Sequence, residues 1–333
     1  MPISADAWRG RAVAITGGTG FIGSFVVQML VDAGARVRVP TRRRSNAARF
    51  LSPYAGRFEV LEADLADPDQ ARAALDGQEV VMHLAAVVGG IEFNIAHPAS
   101  IFRDNLRVFM NVMEAAREAR VERVLVTSSA CVYPRYCTIP TPEEEGFRDR
   151  PEPTNEGYGW AKRMEEFLGQ AYAREYGMRV ALARPYNCYG PRDNFDPSSS
   201  HVIPALIRRI WTEHERPLRV WGSGTQSRSF LYVEDFARGL IEVAEKYAVA
   251  DPLNLGSDEE ITIAQLVGIL QKIHRELHGE SFEVVFDTSK PEGQPRRRCD
   301  TRRARASIGY QPRWSLEDGL RETVRWYLQH QVP

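Results

Sequence analysis

The sequence predicts an α/β fold: a doubly wound parallel sheet joined to a smaller mixed α/β lobe. Three observations predict it. Apolar runs of strand length alternate with helix-period segments through the first half. A glycine-rich turn, AITGGTGFIG at 14–23, lies between the first apolar run and the first helical segment. From about residue 185 the texture changes to prolines and turn formers, then to shorter strands and more helices.

The elements follow in order. RAVAIT (11–16) is the first strand, and 21–33 continues from the glycines as a helix. ARVRVP (35–40), FEVL (58–61), EVVMHLAA (79–86), RVLVTSS (123–129) and RVALARP (179–185) supply five more strands. Between them, 98–119 and 157–177 repeat apolar residues every three or four positions, as amphipathic helices require; Leu106, Phe109, Met110, Met113 and Ala116 mark the first. Strands alternating with helices pair as βαβ units. RPYNCYGPRDNFDPSSSHVIP, from Arg184, reads as a long loop, and loops of that length usually carry function. Helices near 202–214, 235–247, 262–278 and 315–330 follow, with short strands at 218–221, 253–255 and 282–286. The expected division is a dinucleotide-binding domain over 1–184, completed by about 228–257, and a second lobe from 185–227 and 258–333.

Lysine and arginine number 43 against 44 for aspartate and glutamate. That balance argues against bulk binding of nucleic acid and leaves room for a local anion site. The first residues show no basic stretch leading into an apolar one, so no signal peptide is expected. No apolar run approaches the ~20 residues of a membrane helix. The four cysteines, Cys131, Cys137, Cys188 and Cys299, form no CxxC pair. A soluble, reduced, cytoplasmic protein without nucleic-acid or membrane partners is expected. No metal is expected either: His274 and His278 in HRELH stand at ligand spacing, but the stretch lacks the HExxH glutamate and its charge predicts a solvated helix face.

Gly17, Gly20 and Gly23, with Phe21 and Ile22 among them, stand where strand turns into helix. Glycines there permit the tight turn, let backbone approach a pyrophosphate and bring helix onto strand, with the helix N-terminus toward the phosphates. A Rossmann domain holding a dinucleotide is expected. After the second strand an NAD site places an acid for the ribose 2′-hydroxyl, whereas an NADP site uses arginine. VPTRRRSN (39–46) holds three arginines and no acid, so Arg42 and Arg43 are expected to pair with a 2′-phosphate of NADP(H). Asp64 and Leu65 are further candidate cofactor contacts.

Tyr158 and Lys162, in YGWAK, stand at i and i+4 on one helix face. An ammonium beside a phenol favours phenolate and is expected to bring the tyrosine from ~10 toward neutrality. Such a tyrosine exchanges a proton with a carbonyl oxygen while a nicotinamide moves a hydride. Ser129 lies upstream at the end of a central strand, where ligands gather in such sheets.

Together, the glycine loop, Ser129, Tyr158 and Lys162 resemble the extended short-chain dehydrogenases/reductases that act on nucleotide sugars. AAVVGGI (85–91), SSACVYP (128–134), EPTNEGYGWAK (152–162), GPRDNFDPSSSHVIPALIRR (190–209), VWGSGTQSRSFLYVED (220–235) and DTSKPEGQPRRRCD (287–300) are similar to segments of the GDP-L-fucose synthase family. These are NADPH-dependent 3,5-epimerase/4-reductases, and the similarity covers nearly the whole chain.

The resemblance implies a triad of Ser129, Tyr158 and Lys162, with Cys131 as epimerisation base and His201 as the opposing acid. Inverting a carbon beside a C4 ketone removes a proton from one face and returns one to the other. A thiolate and an imidazole suit those roles, with Ser129 and Tyr158 holding the enolate oxygen. A lone cysteine is more often a packing residue, which is the reading of Cys137, Cys188 and Cys299. The resemblance also implies Arg228 and Arg297 at the diphosphate, Trp221 against the nucleotide, Asn187 at the sugar and Arg208 among the substrate contacts. Guanine rests on resemblance alone. Relatives pair through helices equivalent to 98–119 and 157–177, so a homodimer is expected.

Two features depart from that pattern. Ala130 in SSAC, and the loop GGTGFIG, are closer to GDP-mannose 3,5-epimerase. That enzyme keeps NAD tightly bound, the alternative cofactor here, although it would want an acid after strand two. A 4,6-dehydratase would show Thr-Asp-Glu where Ser129-Ala130-Cys131 stand. Three readings remain open: NADPH-dependent epimerisation and 4-reduction of a GDP-4-keto-6-deoxy sugar, non-reducing 3,5-epimerisation of a GDP-hexose or heptose, and non-catalytic NADP(H) binding. The intact YxxxK argues against the third.

Overall fold

The computed structural model describes residues 3–290 and 294–330; positions 291–293 of the 287–300 motif lie outside the described residues. In chain order the main elements are β1 (Ala12–Thr16), α1 (Phe21–Asp32), β2 (Arg36–Thr41), β3 (Glu59–Glu62), α2 (Pro68–Leu75), β4 (Val80–His83), α3 (Pro98–Glu118), β5 (Arg123–Thr127), α4 (Glu156–Tyr176), β6 (Arg179–Pro185), α5 (Val202–Trp211), β7 (Leu218–Trp221), α6 (Val233–Lys246), β8 (Pro252–Leu255), α7 (Ile263–His278), β9 (Val284–Asp287) and α8 (Leu316–His330).

Seven strands form one sheet in the order β8-β6-β5-β4-β1-β2-β3, every pairing parallel. Successive strand residues point to opposite faces, and helices cover both, which is why these strands read as continuous apolar runs. Val13, Ile15, Val37 and Val80 pack with Val27 and Leu30 of α1 and Leu240 of α6. Ala14, Val81, Val124 and Val180 pack on the other face with Phe109, Val112 and Met113 of α3. Burying a Val or Phe side chain stabilises by ~1.5–3 kcal/mol, so these two layers dominate the folding energy. β1 lies between β2 and β4, so the chain winds in opposite directions from it and opens a crevice at the strand C-terminal ends.

Three small sheets accompany the large one. β7 pairs with β9. Ser227–Arg228 runs antiparallel to Ile261–Thr262 and parallel to Arg296–Arg297. Within the long loop, Cys188–Tyr189 pairs with Leu231–Tyr232. α7 begins with a reciprocal cap between Thr262 and Gln265. Among the described residues no helix is long and apolar enough to cross a membrane.

Several expectations change. α2 and the helices Ile91–Ala96 and Arg302–Ile308 were not expected; they are short, and too few turns repeat to show a helical period. β4 stops at His83, and 84–86 leave the sheet to line the crevice. His274 is not on a solvated face. It is buried beside Trp211 and Phe282, and its Nδ1 meets the Glu280 carbonyl at 3.0 Å.

Candidate active site

The crevice continues as one cavity of about 1140 Å³ between the sheet ends and the smaller sheets. Its floor begins at β1. Gly17 has φ +70, and a Cβ there would lie 2.8 Å from the Ala85 amide nitrogen; at Gly23 a Cβ would lie 2.1 Å from the Gly17 carbonyl oxygen. Only glycine permits this approach. α1 opens at Gly20 with no side-chain cap, and Gly20 to Gly23, its first turn, line the cavity. Thr16 Oγ1 meets His83 Nδ1 at 2.9 Å and accepts from the Leu84 and Ala85 amides, tying the ends of β1 and β4 together. Burial, helped by the Lys162 charge, lowers His83 to about 3, so it serves as a neutral tie.

These residues fit a dinucleotide: the glycine cradle suits a pyrophosphate, and Phe21, Ile22, Asp64 and Leu65 line the same space. Arg42 and Asn46 line it too. Arg43 is exposed and not part of the lining, so of the two expected arginines only one reaches the cavity.

Ser129, Cys131, Tyr158, Lys162 and His201 all line this cavity. The Ser129 hydroxyl accepts from the Cys131 amide at 3.1 Å. Lys162, buried under Tyr158, has its Nζ 5.6 Å from the phenol ring centroid. Nζ donates to the Thr127 carbonyl at 3.0 Å and to Glu165 Oε2 at 2.7 Å. This corrects one expectation. Tyr158 is pushed up, not toward neutrality, by burial foremost and then by the charges of Cys131 and Glu165, while Ser129 pulls it down. The physical reason is first the burial of the phenol, and Glu165 adds to it, because its buried carboxylate engages the Lys162 charge. Burial raises Glu165 itself to about 6, against the pull of Lys162. Across the cavity, His201 precedes α5 with its side chain open to the space. The enclosing walls lower its imidazole below the ordinary value.

The far end is cationic. Arg228 and Arg297 sit opposite each other on paired strands. Burial, then Arg297, lowers Arg228 to about 10, the response of a guanidinium crowded by a like charge and suited to an anion. Arg297 Nε donates to Gln294 Oε1 at 2.8 Å, and Gln294 is held by the Arg135 carbonyl at 3.0 Å. Asn187, Arg208 and Trp221 also line the cavity, with Asn187 Nδ2 donating to the Ser229 carbonyl at 2.8 Å.

Four further residues escaped the sequence reading. Glu165 had a signal, since i+3 from Lys162 shares its helix face. Asn155 had a weaker one, an asparagine just before a helix. Asp193, raised to about 7 by burial and with Oδ2 partnerless among the described residues, and Gln294 had none.

The chain is 36% identical over 327 residues to the GDP-L-fucose synthase of Sinorhizobium fredii (strain NBRC 101917 / NGR234), covering 96% of each chain. It is 32% identical over 332 residues to a dTDP-4-dehydro-6-deoxy-D-allose reductase of Streptomyces sp, covering 98% of this chain and 99% of that one. Among solved structures it resembles the UDP-N-acetylglucosamine 4-epimerase of Methanobrevibacter ruminantium M1, in complex with UDP-N-acetylmuramic acid. The TM-score is 0.86 at 26% identity, covering 97% and 100% of the two chains. With residues 13–256 matching its family model, and the glycine cradle and Tyr158–Lys162 pair in place, the chain belongs to the NAD dependent epimerase/dehydratase family.

Proposed function

We propose that the protein epimerises C3 and C5 of a GDP-4-keto-6-deoxy sugar and then reduces C4 with NADPH. One observation carries this reading: Cys131 and His201 line the same cavity as Ser129, Tyr158 and Lys162. A reductase alone needs only the last three; a thiol and an imidazole are the additions that proton exchange beside a ketone requires.

In this reading the Cys131 thiolate takes the proton alpha to the ketone, and His201 returns one to the other face. Ser129 and Tyr158 hold the enolate oxygen. When bound, the coenzyme supplies the hydride. Tyr158, raised by burial and its acidic neighbours, stays protonated and donates to the C4 oxygen. Lys162 holds the tyrosine face and the Thr127 carbonyl in register. Arg228 and Arg297 clamp the diphosphate. Arg42 favours NADP(H) over NAD by pairing with a 2′-phosphate. The chain pairs with a second copy through the outer faces of α3 and α4, where Met110 and Phe167 are exposed.

A second reading, reduction of a dTDP-linked 4-keto sugar without inversion, is favoured by the Streptomyces relative. One experiment separates them. In heavy water, GDP-4-keto-6-deoxymannose should gain deuterium at C3 and C5 without NADPH, and yield a 4-reduced, inverted product with it. No deuterium gain, together with turnover of the dTDP-linked ketone, would overturn the first reading.

A further inference from the structure

We propose that Asn155 is a positioning residue that holds the Cys131 sulfur as thiolate; this rests on the reading of Cys131 as the epimerisation base. Asn155 stands immediately before α4, at φ −138 and ψ 28. Asparagine is favoured there because its side-chain oxygen accepts from an N–H of the first helical turn. Here it makes no such bond. Its Nδ2 donates instead to Cys131 Sγ at 3.3 Å, and its Oδ1 is buried without a partner among the described residues. The chain forgoes a helix cap and places an N–H donor on a thiol.

The approach is built into the helix. Gly159 lies in the first turn of α4, and a Cβ there would fall 2.5 Å from the Cys131 carbonyl oxygen. Glycine therefore lets the start of a 21-residue helix press against the cysteine loop. The positive end of that helix acts on the sulfur in the same sense as the amide donor. An N–H donor favours thiolate over thiol, because the anion is the stronger acceptor. The titratable groups that share this part of the cavity are Tyr158 and Lys162 from α4, Glu152 before it, and His201 across it. Burial foremost, and the Cys131 sulfur after it, raise the Tyr158 phenol. Asn155 thereby acts on the base itself.

The test follows alkylation of Cys131 by iodoacetamide across pH, on the full chain, with the labelled peptide identified by mass spectrometry. Asn155→Ser and Asn155→Asp keep a capping side chain, and Asn155→Ala removes it. The midpoint of the rate profile should rise by about one pH unit in the serine and alanine variants, about tenfold less thiolate at neutral pH. It should rise furthest in Asn155→Asp, whose carboxylate repels the anion. Unmoved midpoints in the folded serine and aspartate variants overturn the proposal. A downward shift also overturns it, because the amide would then be accepting from the thiol. The base reading is scored separately: Cys131→Ser should lose deuterium exchange at C3 whatever Asn155 does.

Discussion

Replacing Glu166 with alanine should destabilise the protein and loosen the serine pair beside the candidate base. Glu166 is fully buried on α4. It accepts from Arg184 Nε at 2.8 Å and Nη2 at 2.7 Å, and from the Ser128 hydroxyl. Arg184, almost as buried, also donates through Nη1 to the Glu143 carbonyl at 2.6 Å and the Tyr133 hydroxyl at 3.2 Å. Alanine leaves that guanidinium charged, dry and without its counter-charge. Breaking such a pair costs ~3–5 kcal/mol. With ~2.1 cal/mol/K of unfolding entropy per residue, 333 residues carry ~0.7 kcal/mol/K, so the melting midpoint should fall by roughly 4–7 °C. Calorimetry or circular dichroism reads this directly. Glu166→Leu combined with Arg184→Met removes both charges at similar volume and should recover most of the loss. A single variant melting within about 1 °C of the parent, or a double variant no better than the single, refutes the reasoning.

The other predictions concern chemistry and pH. Arg42→Ala should weaken NADPH about tenfold more than NADH, with a smaller effect from Arg43→Ala; equal losses by titration calorimetry for both coenzymes would reject NADP(H) selectivity. Tyr158→Phe should lose reduction, followed as NADPH oxidation, yet bind nucleotide sugar as before; unchanged turnover would remove the tyrosine from the chemistry. Cys131→Ser should release a C4-reduced sugar that was never inverted, identified by NMR, since a hydroxyl is too weak an acid to replace the thiol. Glu165, raised from 4.5 to about 6, holds its proton more tightly folded than unfolded. Stability should therefore fall as pH rises across that window, by roughly 2 kcal/mol, and stay lowered above it. Glu165→Gln should make this slope shallower in urea titrations, with Asp193, raised to about 7, still titrating in the same direction; an unchanged slope would show that Glu165 does not contribute.

What was legible in the sequence is what local spacing encodes. Strand-length apolar runs and helical periods follow from backbone geometry, so the βαβ order of the first half could be read directly. The glycines could be read because close approach at Gly17 and Gly23 excludes any side chain. Tyr158 and Lys162 share a face by helix pitch alone. Tertiary structure decided what depends on groups far apart in the chain. β8 joins the large sheet beside β6 only through long-range pairing, and Arg228 meets Arg297 only because two short strands align. The state of Tyr158 reversed the local expectation, because burial and a neighbouring carboxylate outweigh an ammonium already engaged by Glu165. His274 and Asn155 carry the same lesson: charge pattern and capping preference are local, but desolvation and the partner each side chain meets are settled only when the chain is folded.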